Sequence, residues 1–173
     1  AIVVGSAWEE DMRLLIPLIN SHPNLRWIIA PHDLSPEPMD RWASQIQVTS
    51  KKYSDWTSAD SNSLLFIDNI GMLSSLYQYG QIAYIGGGFG VGIHNTLEAA
   101  AFGLPVIFGP NYHKFQEAKD LIEIGAAKSI NNAEELTTAF EHYIAHESGT
   151  LAKKYVANKK GATEMIMKKI FED

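Results

Sequence analysis

The sequence predicts an α/β domain: one parallel sheet of about six short strands with helices on both faces. Three observations point there. Short apolar runs alternate with amphipathic stretches along the chain, the pattern of strand-helix repeats. The run Leu64-Leu65-Phe66-Ile67 is continuously apolar, as a strand buried on both faces should be. Strand ends and helix ends are punctuated by glycine or proline, as at Gly5, Pro31, Gly86, Gly103 and Pro105.

Residues 1–4 read as the first strand, ended by Gly5-Ser6. Glu9, Glu10 and Asp11 open a helix to about residue 20, since acidic side chains suit a helix N-terminus. Leu14, Leu15, Leu18 and Ile19 supply its apolar stripe. Residues 26–30 form the next strand, closed by Pro31-His32-Asp33, and 37–45 a short helix. The segment 47–63 is polar and carries no clear period. Residues 64–67 are a strand and 71–79 a helix; 82–85 are a strand that enters a glycine-rich loop. A helix over 95–102 stops at Gly103 and Pro105. Residues 106–108 are a strand, 115–124 a helix and 127–130 the last strand. Helices over 133–145 and 151–170 close the chain, with Gly161 as a bend. With 173 residues and neither repeat nor linker, one domain is the simplest count.

Apolar residues make up 46% and charged residues 20%, which excludes wholesale disorder. The net charge of −6 argues against broad nucleic-acid binding, which needs a basic face. The absence of cysteine excludes disulfides and thiolate metal sites. No apolar run approaches the roughly 20 residues that span a membrane. The chain opens as a strand already under way, without an initiator Met. The expectation is a fragment whose upstream residues are missing.

In open parallel sheets, ligands bind beyond the carboxyl ends of the strands. The richest such segment runs from Gly86 to Glu98, with five glycines before Asn95. Glycine lets backbone approach a ligand, and a helix N-terminus offers free N–H groups to an anion. Phosphate or carboxylate binding fits, and so does a plain strand-to-helix turn capped by Asn95. Neither G-x-G-x-x-G nor G-x-x-x-x-G-K-[ST] is present, which counts against dinucleotide and P-loop readings. Glu98 suits two bonds from a ribose diol, or a capping box with Asn95. His94 suits a phosphate or a structural role, with no metal set nearby. Asp68 to Leu73 is a second anion-facing turn or an Asx turn, with the N–H groups of Met72 and Leu73 opening a helix. Pro31 and His32 end the second strand, Gly5 and Ser6 the first, and all face the same edge. Trp8 reads as a packing residue.

In this order, the blocks Gly5-Ser6…Glu9-Glu10, Ile29-Ala30-Pro31-His32, Asp68 to Ser75, and Gly86 to Pro110 with its H-N-x-x-E core resemble the bacterial transferases of 3-deoxy-D-manno-octulosonic acid (Kdo). The resemblance covers nearly the whole chain. It implies a Rossmann-like domain, one half of a GT-B glycosyltransferase. This would be the C-terminal half, which binds the donor CMP-Kdo. The N-terminal acceptor domain, with its carboxylate base and membrane anchor, would lie upstream. By the same resemblance, CMP would be held by Pro31, His32, Gly71, Met72, Leu73, Asn95, Thr96, Leu97 and Glu98, with Glu98 on the ribose. Gly5, Ser6, Gly86, Gly87, Gly88 and His94 would face the phosphate or the Kdo. Many members have an arginine after the second strand; this chain has none there. The expected reaction transfers Kdo to a lipid A precursor in lipopolysaccharide synthesis, without metal or cofactor. The whole protein would sit at the cytoplasmic face of the inner membrane, and this fragment would be soluble and inactive alone. Competing readings are a UDP-sugar transferase or epimerase of the same fold, a nucleotide-binding module without transfer activity, and, on fold analogy alone, a dehydrogenase.

Overall fold

The computed structural model describes residues 1–57, 63–146 and 149–159. Its strands are β1 (Ile2–Ala7), β2 (Trp27–Pro31), β3 (Ser50–Lys52), β4 (Leu64–Phe66), β5 (Ile82–Ile85), β6 (Val106–Phe108) and β7 (Ala127–Ser129). The helices are α1 (Glu9–Ser21), α2 (Pro36–Gln45), α3 (Leu73–Leu76), α4 (Leu97–Ala101), α5 (Gln116–Glu123), α6 (Ala133–Ala145) and α7 (Gly149–Asn158). All seven strands pair in parallel, in the order β3-β4-β2-β1-β5-β6-β7.

The alternation of side chains along each strand divides the core into two. Ile2, Val4, Trp27, Ile29, Tyr84 and Ile107 pack with α1, α2 and α6 through Met12, Leu15, Ile19, Met39, Trp42 and Phe140. Val3, Ala83, Ile85, Val106 and Phe108 pack on the other face with Tyr77, Ala99, Leu104, Leu121 and Ala152. Both faces are covered, and so the central strands read as unbroken apolar runs.

Several elements differ from the expectation. A seventh strand, β3, lies inside the polar segment; it is a three-residue edge strand, Ser50-Lys51-Lys52, whose side chains are only half-buried and leave no apolar signal. Gly5-Ser6 does not end β1. The strand continues to Ala7 through a register shift, with Ser6 at φ +53°. The helix expected over 71–79 is the four-residue α3 followed by a 3-10 turn at Tyr77–Tyr79. Helix α4 starts at Leu97 rather than at residue 95. Helix α7 begins at Gly149; the remainder of the helix expected to 170, including Gly161, lies outside the described residues.

Candidate functional site

The carboxyl ends of β1, β2 and β5 meet where the chain turns into Trp8, His32 and the loop after Ile85. Asp11, in the first turn of α1, is fully buried beneath them. Its Oδ2 accepts the backbone N–H of Trp8 and of Gly87, each at 3.0 Å, and its Oδ1 accepts the Tyr84 hydroxyl at 2.8 Å. Burial raises its pKa above the usual carboxylate value and pushes the Tyr84 phenol far up. Asp11 was readable in the sequence only as a first-turn acid. The available signal is its place three residues after Trp8, where a capping-box acid bonds the N-cap N–H. It also falls one turn before buried Leu15.

The glycine loop folds back on itself. Gly87 has φ +88°, and its carbonyl accepts the N–H groups of Gly90 and Gly92 at 3.0 Å each. Asn111, beyond β6, pins the loop by donating from its backbone to Gly88 at 2.8 Å and from its amide to Gly90 at 2.7 Å. The glycines are demanded by the protein itself. A Cβ on Gly86 would fall on the Ser6 carbonyl, one on Gly87 on the Gly92 carbonyl, and one on Gly88 would stand 2.6 Å from the Gly109 nitrogen. Two of the N–H groups are also committed, that of Gly86 to the Gly5 carbonyl at 2.8 Å and that of Gly87 to Asp11.

Three rings lie on this edge. Trp8 stacks on His32 with centroids 4.0 Å apart, and His32 lies 5.0 Å from His94. His94 Nε2 and Trp8 Nε1 are buried without a hydrogen-bond partner. Burial, and then the neighbouring His32, hold the His94 pKa below the ordinary histidine value. Thr96 is buried too, with its hydroxyl unpartnered. Buried polar atoms of this kind are rare without a reason.

The remaining candidates flank the loop. Asn95 accepts the N–H of Leu97 at 3.0 Å and donates to Glu98 Oε1 at 3.0 Å, which orients the half-buried carboxylate. Asn95 thus caps α4 from two residues before its first residue, one before the geometric N-cap Thr96. Leu73 and the Tyr77 hydroxyl lie against Gly5, and burial, and then the charge of Glu98, raise the Tyr77 pKa. Gly71 is exposed at φ +91° with open space around it, and Met72 is half-buried. Pro31 is buried at the end of β2, while His32 is exposed on one side. Gly5, Ser6, His32, Gly86, Gly87, Gly88 and His94 are thereby brought together around Asp11, with Leu73 and Tyr77 beside Gly5. Among the described residues no cluster of three or more His, Asp or Glu could hold a metal ion.

No family model matches the chain. Among curated proteins it is similar to the 3-deoxy-D-manno-octulosonic acid transferase of Aquifex aeolicus (strain VF5), 31% identical over 149 residues that make up 79% of this chain and 40% of that protein. The enzyme of the same name from Rickettsia prowazekii (strain Madrid E) is 28% identical over 99% of this chain and 39% of its own length. The chain therefore spans about two fifths of the curated relatives it matches. Among solved structures, the C-terminal CMP-Kdo binding domain of WaaA from Acinetobacter baumannii superposes with a TM-score of 0.77 at 22% identity, over 91% of this chain and 89% of that one. WaaG, a glycosyltransferase involved in lipopolysaccharide biosynthesis, superposes at 0.62 and 14% identity, over 99% of this chain and 47% of that one. By sequence, and with a fold to match, the chain belongs to the family of the 3-deoxy-D-manno-octulosonic acid transferases.

Proposed function

We propose that this chain is the donor-binding part of a glycosyltransferase that moves Kdo from CMP-Kdo to a lipid A precursor. One observation supports the reading at the site: the blocks that resemble the family's motifs lie beyond the carboxyl ends of the strands, where the buried polar atoms of Trp8, His94 and Thr96 have no hydrogen-bond partner. Glu98, held by Asn95, faces the ribose diol. Pro31 and His32, and Gly71 to Leu73, flank the nucleotide from the two sides. His94 Nε2 and the free end of the Gly88 loop meet the phosphate.

An acceptor hydroxyl attacks the anomeric carbon of Kdo. The new C–O bond forms as the bond to the CMP phosphate oxygen breaks, and the hydroxyl proton passes to a base. That base belongs to an acceptor half outside this chain, as does contact with the inner membrane. Among the described residues no helix is long and apolar enough to cross a membrane. Preorganised donors around the departing CMP lower the barrier by stabilising its developing charge.

Calorimetric titration with CMP and UDP tests the reading. CMP binds, and Glu98→Ala weakens it about tenfold or more, because charge-assisted bonds to the diol are lost. A chain that binds UDP and ignores CMP is instead a UDP-sugar enzyme of the same fold. Unchanged CMP affinity in the Glu98→Ala protein returns Glu98 to a helix-capping role.

A further inference from the structure

We propose that Asp11 is a positioning residue for donor binding: one buried carboxylate oxygen ties the turn after β1 to the loop after β5, and so sets His32, Gly88 and His94 in a single arrangement. The inference rests on the proposed function of this edge. All three partners of Asp11 are neutral: two amide N–H groups and a phenol. A buried carboxylate without a cation is costly to the fold. An apolar side chain branched at the same atom, as in leucine, would pack α1 without that cost, and so packing alone does not explain the acid.

What leucine cannot do is accept two bonds at one point. Oδ2 holds the N–H of Trp8 and the N–H of Gly87 together. The Trp8 ring stacks on His32, and the Gly87 turn leads through its own carbonyl bonds to Gly92 and on to His94. Gly87 at φ +88° is in a conformation that other residues rarely adopt, and its N–H points inward rather than toward a ligand. The bond to Asp11 therefore fixes the direction in which the rest of the loop faces outward. Three segments that are far apart in sequence take their relative placement from this oxygen.

The test compares CMP with cytidine, since only CMP carries the phosphate, in the wild-type chain and in Asp11→Leu and Asp11→Asn. Asparagine can set its carbonyl oxygen at the Oδ2 position, accept both N–H groups and turn its NH2 to the Tyr84 oxygen. Asp11→Asn is therefore expected to keep CMP affinity within about threefold, while Asp11→Leu loses about tenfold or more for CMP and far less for cytidine. Rescue by asparagine marks geometry rather than charge as the cause. Where leucine prevents folding, Asp11→Ser, too short to bridge both N–H groups, takes its place in the same titrations. The proposal is overturned if the leucine or serine protein, shown folded by its melt, binds CMP like wild type or loses CMP and cytidine equally. It is overturned as well if asparagine loses as much as leucine. A wild-type chain that binds neither ligand removes the donor-site reading itself, whereas tight wild-type binding with an indifferent Asp11→Leu removes only the role of Asp11.

Discussion

The two edges of the sheet differ in a way that volume does not reveal. At the amino edge, Gly80, Phe102, Leu104, Tyr143 and Lys153 line a cavity of about 760 Å³. At the carboxyl edge, Trp8, Asp11, Gly87 and Val91 line one of about 230 Å³. The chemistry runs the other way. Among the described residues, three of the four buried side-chain polar atoms without partners, on Trp8, His94 and Thr96, belong to the carboxyl edge. The fourth is Trp27 Nε1, within the core at the start of β2. In a parallel sheet the helix that follows each strand starts at the carboxyl edge, and its unpaired N–H groups and positive dipole end gather there. The amino edge receives helix C-termini, whose carbonyls repel anions. The larger hollow is thus the poorer candidate for a nucleotide.

The sharpest way to break this contrast is to add one methyl group at each edge. In Gly88→Ala the new Cβ would stand 2.6 Å from the Gly109 nitrogen and 2.7 Å from its Cα, both backbone atoms. Overpacking against backbone should cost about 1–3 kcal/mol, seen as a lower melting temperature, and CMP binding should fall with it. In Gly80→Ala the nearest atom is the Leu104 Cδ1 methyl at 2.7 Å, the end of a flexible side chain. That melt should drop less, and CMP affinity should stay as in wild type. If Gly80→Ala weakens CMP, the two edges are not separate.

A smaller effect concerns pH. Burial and His32 keep the His94 pKa low in the free protein, so the ring is neutral above the ordinary histidine value of 6.5. A phosphate at Nε2 favours the imidazolium and raises that pKa. Binding therefore takes up a proton, and the resulting gain in affinity is present at low pH and lost as pH rises through the bound-state value. The expected change between about pH 6 and about pH 8 is twofold to fivefold, measured as the ratio of wild type to His94→Gln so that titration of CMP itself cancels. A flat ratio would take His94 off the phosphate.

Legibility in the sequence followed burial. Strands β4, β5 and β6 announced themselves because both faces are covered, and an apolar run has no other use at that length. Strand β3 did not, because an edge strand of serine and lysines has no core face to fill. The passage of β1 through Gly5-Ser6 was hidden by residues that ordinarily end strands. In the candidate site the glycine loop was plain, but its reason was not. The glycines make room first for the backbones of Ser6, Gly92 and Gly109, which only the packed loops reveal. Asp11 and Tyr84 were invisible as a pair, because nothing local in the sequence joins a helix acid to a strand phenol so far along the chain.

The central position of β1 has a consequence for how the molecule matures. On one side β1 pairs with β2, whose partner residues Trp27 to Pro31 follow it closely; on the other it pairs with β5, where Ile2 meets Ile82. The entropy lost on closing a loop grows with its length, and distant parallel pairings slow the search. Refolding should therefore order the β1–β2 seam before the β1–β5 seam. The bond from Gly87 to Asp11 spans the later seam. In pulse-labelled hydrogen exchange, the Gly87 amide should gain protection after Ile28, whose backbone faces β1 across the earlier seam. Simultaneous protection would mean that the sheet closes in one step; the expected lag would make the ability to hold a donor among the last properties the chain acquires.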